Sequence, residues 1–302
     1  MTTHRAFKKT LTALGVLATG ALTLSMAACS GGGEDTSSDE STIVIGADDA
    51  TEPHWQIITD KLADEGITLE VRNLTDGVQL NQGVQDGELD INLFQHLIFL
   101  ADFNVNSGGD LVPVGATAVY PLALYSKDFA SVDEIPEGAT VAIPDNPTNL
   151  SRALLNLQAA GLVTLADGGN AYSTEADIEE SSVEILPVDS NQTVTALNDG
   201  SAQAAVVNNT QAQKGGLGDD LILYKDDLDS PDLEPYINVF AVKDENKDDP
   251  RWQKLIDAYH STEVEESVTE LNQGNLQFKA DYTAEQLTDI LTDLETKLEE
   301  VK

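Results

Sequence analysis

Asn149, Arg152 and Asn156 are spaced to share one face of a helix, and a guanidinium flanked by amides is chemistry for gripping a small anion. The first two lie in A-I-P-D-N-P-T-N-L-S-R-A-L, Ala142 to Leu154, where a buried-strand signal turns into a helix, and Asn156 follows on that helix. Asn146 supplies an N-cap, and Pro147 takes the first helical position, where its missing N–H costs nothing. Leu150, Ala153, Leu154 and Leu157 form the core face, and Gly161 marks the stop. The helix start leaves backbone donors unpaired at the positive end of the dipole, which suits a carboxylate held by a bidentate Arg152. A second reading stays equally open from these residues, in which Arg152 only pairs with a surface Asp or Glu.

The elements around this turn alternate in apolar period. Ile43 to Ile45 reads as a strand, Trp55, Ile58 and Leu62 as a helix face, Ile67 to Val71 as a strand, Leu80 and Val84 as a helix, and Asp90 to Phe94 as a strand. This β-α-β-α-β run predicts a mostly parallel sheet with helices on its faces. A second alternation runs through Thr140–Ile143, Pro147–Ala160, Val183–Val188, Thr193–Asn198 and Ala204–Val207, and predicts a second lobe. The expected boundaries are a first lobe over 43–122, a second over 123–237, and a return crossover with closing helices over 238–302. Two lobes joined by two crossovers leave a ligand cleft between them, faced by the carboxyl ends of their strands. The acidic stretches 226–234 and 244–249 read as solvated loops. Asp244, Asn246 and Asp248 echo a calcium loop, but the required Gly and closing Glu are missing, so no metal or other cofactor is expected.

Arg5, Lys8 and Lys9 precede a charge-free apolar stretch from Leu11 to Met26, which predicts an export signal over 1–28. Cys29 is the single cysteine, so no internal disulfide is possible, and its setting resembles a bacterial lipobox with Met26 in place of the usual Leu. An acylated Cys29 would hold the protein at the outer face of the bacterial cell membrane, at ~0.8 kcal/mol per buried methylene. Residues 29–42, rich in Gly, Ser, Thr and acid, then read as a flexible tether. With 16 basic and 53 acidic residues and three of the bases in the signal, the mature chain carries 13 − 53 = −40. Such a surface repels nucleic acid and anionic head groups, which excludes nucleic acid as a partner.

Other function classes find little here. A lipid-anchored hydrolase would need a nucleophile elbow or a metal-ligand spacing, and neither G-x-S-x-G nor H-E-x-x-H occurs. A structural or adhesive lipoprotein would need an exposed patch that sequence does not reveal. The expectation is therefore a binding protein that is not an enzyme and acts as a monomer.

The motifs Pro53-His54, D-I-N-L-F-Q-H at Asp90 to His96, Y-P-L-A-L-Y-S at Tyr120 to Ser126, the Asn146–Pro147 turn, A-V-V-N-N at Ala205 to Asn209 and P-Y-I-N at Pro235 to Asn238 occur in one order. In that order they resemble the NlpA/MetQ family, methionine-binding lipoproteins of bacterial ABC importers. The resemblance implies an α/β, two-lobe, periplasmic-binding-protein-like (type II) fold, with an ABC permease and its ATPase as partners. It further implies an amino acid, methionine first, with its carboxylate on Arg152, hydrogen bonds from Asn149, Asn208 and Asn238, and its side chain against Phe94 and His96. Read without the resemblance, Phe94 is a core aromatic, His96 a satisfied imidazole, and the two later asparagines equally well turn or strand-end amides. The chain departs from the family at Gly77, where a Tyr is common, and at Gln211, where an aromatic is. Two pocket walls differ, so another amino acid, a small peptide or an amino-acid derivative stands as the alternative ligand.

Overall fold

The computed structural model describes residues 41–301. The export signal read over 1–28, Cys29 and the tether as far as residue 40 lie outside the described residues. Among those described, no helix is long and apolar enough to cross a membrane.

The first sheet has five strands. Three come from the opening alternation: β1 (Thr42–Ala47), β2 (Thr68–Asn73) and β3 (Ile91–His96), all parallel. Helices α1 (Pro53–Asp64) and α2 (Gly77–Gln85) connect them, and α3 (Leu97–Ser107) leads on to β4 (Leu111–Ala116). From Ala116 the chain crosses over through β5 (Ala118–Val119) to β6 (Ala123–Ser126) in the second sheet.

That sheet also has five strands, in the order β10-β7-β11-β6-β12. It takes in β7 (Ala139–Pro144), then α4 (Pro147–Ala159), and, after the side hairpin β8 (Val163–Leu165) and β9 (Ile178–Ser181), β10 (Val183–Val188). Helix α5 (Thr193–Asp199), β11 (Ala204–Val207), α6 (Asn209–Lys214) and β12 (Ile222–Lys225) complete it. Residues 226–237 return the chain to β13 (Asn238–Lys243), between β3 and β4. The closing elements are α7 (Arg251–Tyr259), α8 (Thr262–Leu271), β14 (Gln277–Phe278), which pairs with β5, and α9 (Ala284–Glu300).

Each sheet is mostly parallel, as expected, with one strand running the other way, and the two exceptions have a common cause. β13 runs antiparallel to β3 and β4, and β6 antiparallel to β11 and β12. Each is the strand a crossover feeds, so it enters its sheet from the end that faces the other lobe. Among the closing helices expected within 238–302, a break falls at His260 and Ser261, where α7 stops and α8 starts.

Both faces of each sheet are covered, which is why the central strands read as unbroken apolar runs. Along β13, Val239 and Ala241 enter one core with Leu97 and Ile98 of α3 and Leu287, Leu291 and Leu294 of α9. Phe240 and Val242 enter the opposite core with Trp55, Ile58 and Leu62 of α1 and Trp252 and Leu255 of α7. In the second lobe Val141, Ile143, Ala204 and Val206 meet α4 on one side, while Ala142, Ala205 and Val207 meet α5 and α6 on the other. The C-terminal helix is pinned at its start by a reciprocal cap, in which Thr283 Oγ1 accepts from Gln286 N and Gln286 Oε1 accepts from Thr283 N.

Phe240 is fully buried and packs edge-on against Tyr259, with ring centroids 5.6 Å apart. Phe240→Ala should destabilise the protein by about 3–5 kcal/mol in urea unfolding, because a rigid sheet cannot collapse into the cavity; a loss within experimental error would show that β13 is not a central strand.

Candidate functional site

Both lobes line one cleft of about 690 Å³, within the usual size range of small-molecule sites. The six residues singled out for ligand contact, Phe94, His96, Asn149, Arg152, Asn208 and Asn238, all line it. They arrive from four places: the end of β3, the first turns of α4, the start of α6 and the first residue of β13.

Strand period explains the first pair. Phe94 and His96, two residues apart on β3, both line the cleft, and Gln95 between them touches the same wall while its amide is engaged in a buried cluster. In that cluster Asn81 Nδ2 donates to Gln95 Oε1 at 2.8 Å, and Asn92 Nδ2 donates to Asn81 Oδ1 at 2.9 Å. Gln95 Nε2 donates to Asn92 Oδ1 at 2.9 Å, so the amides satisfy one another and tie α2 to the strand end that carries the pair.

His96 is held on both ring nitrogens. Nδ1 caps α3 by accepting from Phe99 N at 3.2 Å, so the proton sits on Nε2, which donates to Asn149 Oδ1 across the cleft at 3.0 Å. Burial pushes His96 down to about 4; the Asn149 bond opposes that shift, and the Arg152 charge adds to it. The ring is a neutral donor near pH 7. Its bond orients Asn149, whose Nδ2 makes no hydrogen bond among the described residues.

Asn146 caps α4 as expected, with Oδ1 accepting from Asn149 N at 3.1 Å. That cap changes the expected anion site. Pro147 has no N–H, Leu150 N donates to Asn146 O, and Asn149 N is taken by the cap, so of the first-turn donors only Thr148 N is without a hydrogen bond among the described residues.

Arg152 fits neither reading of the sequence as it stood. It is 5% exposed and forms a buried ion pair with Asp226, to whose Oδ2 both Nε and Nη2 donate. Nη2 also donates to Tyr120 O at 2.9 Å, and the guanidinium lies over the Tyr236 ring, 4.3 Å from its centroid. Tyr120 and Asp226 belong to opposite crossovers, so one arginine of the second lobe clasps both. Nη1 alone makes no hydrogen bond among the described residues, which leaves one nitrogen rather than a two-nitrogen fork for a ligand. Asp226, read as part of a solvated acidic loop, is 8% exposed, and Leu233 and Tyr236 after it are buried as well. Asn156 points its Nδ2 to Leu122 O at 2.7 Å and holds the first crossover instead of lining the cleft.

Asn208 caps α6 through Oδ1, which accepts from Gln211 N at 2.9 Å. Asn238 receives the first crossover on its backbone, its O accepting from Thr117 N at 2.8 Å. Further bonds join the cleft walls: Lys214 Nζ donates to Asp48 O at 2.7 Å, and Asn209 and Gln213 both donate to Asn272 Oδ1. Asp48, next to Asp49 at the end of β1, went unnoticed in the sequence; burial and then the Asp49 charge push it up to about 7. Gly77 stands against the aromatic wall, where an added Cβ would meet Phe94 Cε2 at 2.7 Å and Phe99 Cζ at 3.0 Å. Gln211 donates to Asn191 Oδ1 at 2.7 Å and lines the cleft as an amide.

Two α/β lobes, two crossovers and a cleft that both lobes line define a two-lobe, periplasmic-binding-protein-like fold. The model of the NlpA lipoprotein family matches residues 43–280, and the chain belongs to that family. It is 36% identical over 276 residues to the D-methionine-binding lipoprotein MetQ of Salmonella typhi, covering 89% of this chain and 97% of that one. Among solved structures it resembles the substrate-binding protein of a methionine transporter from Streptococcus pneumoniae, with a TM-score of 0.74, 34% identity, and coverage of 79% of this chain and 96% of that one. It also resembles a nutrient-binding protein from Burkholderia cenocepacia bound to methionine, with a TM-score of 0.72, 32% identity, and coverage of 78% and 99%.

A histidine whose pKa falls from 6.5 to about 4 on folding favours the native state above pH 6.5, and that contribution is lost as pH falls toward 4. Urea unfolding should therefore show the wild type losing more stability than His96→Gln between pH 7 and pH 4.5. Equal losses would mean that the imidazole is solvated.

Proposed function

We propose that this protein is the solute-binding lipoprotein of an ABC importer, which closes its lobes on methionine or a closely related amino acid and hands it to a permease driven by an ATPase. The observation that carries the reading is Arg152, lining the cleft with Nη1 unengaged, amid the amides of Asn149, Asn208 and Asn238 from both lobes. A zwitterion in a poorly hydrated cleft needs donors for its carboxylate and acceptors for its ammonium, and these groups supply both. Phe94, Phe99 and His96 form an aromatic wall, with Phe94 and Phe99 edge to face at 5.6 Å, against which a thioether packs well. The printed names of the relatives support the same ligand class.

The mechanism requires no covalent step. Ligand contacts made from both lobes favour the closed state, and the permease distinguishes closed from open. The His96–Asn149 bond, which joins the two lobes directly, adds to those ligand contacts. Cys29, in its lipobox-like setting, would be the acylated residue that keeps the exported protein, a monomer, at the membrane surface.

Thermal melting with each amino acid in turn tests the ligand. Methionine at a thousandfold excess over its Kd should stabilise the protein by about 4.1 kcal/mol, and the absence of a shift with either enantiomer or any other amino acid would sink the reading. Asn149→Ala should weaken binding by about 1.5–3 kcal/mol in calorimetry, the worth of a hydrogen bond to a charged group. Cys29→Ser should move the protein from the membrane to the soluble fraction; retention at the membrane would refute acylation.

A further inference from the structure

Among the described residues Arg152 is the only lysine or arginine lining the cleft, and Asp226 neutralises it. The walls also carry the carboxylates of Asp49, Asp76, Asp102, Asp145 and Asp189, and the carboxyl of Asp48, which burial pushes up to about 7. The two wall imidazoles, His54 and His96, both have their pKa lowered, chiefly by burial.

A lone guanidinium attracts any anion. Paired with Asp226, it presents the end of a dipole, because Nη1 lies on the far side of the same guanidinium that Asp226 Oδ2 engages. The manner of pairing is informative. Asp226 Oδ2 takes both guanidinium bonds and lies 3.5 Å from Leu122 N, whereas Asp226 Oδ1 is buried without a hydrogen-bond partner among the described residues. Asp226 gives Arg152 a counter-charge and a fixed orientation through one oxygen only.

We propose that Asp226 is a specificity-determining and positioning residue: by neutralising Arg152 it makes the cleft accept ligands that bring their own ammonium and reject net anions. This rests on the solute-binding reading above. A ligand carboxylate then gains one directional contact at Nη1 without the pull of a free cation, and its binding depends on the ammonium being present to meet the acidic walls. Acidic amino acids and hydroxy acids are excluded by charge and not by size.

The test is calorimetry on the wild type, Asp226→Asn and Asp226→Glu with three ligands of nearly equal shape. These are methionine, its α-hydroxy acid isostere, which is a net anion, and methioninamide, a net cation. The wild type should bind methionine and discriminate against the hydroxy acid. Asp226→Asn should shift the ratio of hydroxy-acid to methioninamide affinity by about tenfold or more toward the anion, and Asp226→Glu should restore the wild-type order. Parallel weakening of all three ligands in Asp226→Asn would reduce Asp226 to a structural residue and overturn the proposal. If that variant does not fold, the wild type still decides, since equal affinity for methionine and its hydroxy acid overturns the proposal and strong discrimination supports it. A wild type that binds methionine but fails these comparisons leaves the solute-binding reading standing, whereas one that binds none of the three removes both.

Discussion

The structure turns on one buried ion pair. Arg152 reaches from α4 to Asp226 at the start of one crossover and to the Tyr120 carbonyl in the other, with Tyr236 beneath its guanidinium. Removing one partner of such a pair leaves an uncompensated buried charge, a loss of about 3–5 kcal/mol, whereas the intact pair adds little net stability over an apolar substitute. Its value is therefore positional. The two segments that connect the lobes meet at a residue that lines the cleft, so that wall of the cleft is also the place where the lobes are joined.

This coupling constrains the neighbouring groups. Tyr236 is buried, its pKa pushed up to about 12 chiefly by that burial, and its ring also meets His96 edge-on at 5.4 Å. His96 in turn bonds Asn149, one turn ahead of Arg152 on α4. A continuous run of contacts thus links the end of β3, the start of α4 and the second crossover. A ligand that touches Arg152 and Asn149 perturbs elements of both lobes, which is the physical requirement for closure driven by binding.

The aromatic wall is built by exchange of volume. Gly77 leaves room that Phe94 and Phe99 occupy, and any side chain there would have to displace a ring. Beside Gly77 the wall is aromatic, while Gln211 contributes an amide tied to Asn191. One side of the cleft is suited to an apolar or thioether group, and the other is more polar.

The sequence by itself determined what depends on local pattern. It showed the two alternations of strand and helix, the Asn146–Pro147 helix start, the continuous apolar strands of doubly covered sheets, and, through ordered motifs, the family. Period and capping are properties of neighbours in the chain, so they can be read from it. Tertiary structure alone decided the rest. Asp226 lies 74 residues from Arg152, in a stretch whose composition reads as solvated loop, and only the return crossover brings the two together. The antiparallel entry of β6 and β13, the amide cluster of Asn81, Asn92 and Gln95, and the approach of Lys214 to Asp48 likewise depend on where distant segments meet. Charge partners and buried polar networks are set by proximity in space, and a linear pattern carries no record of it.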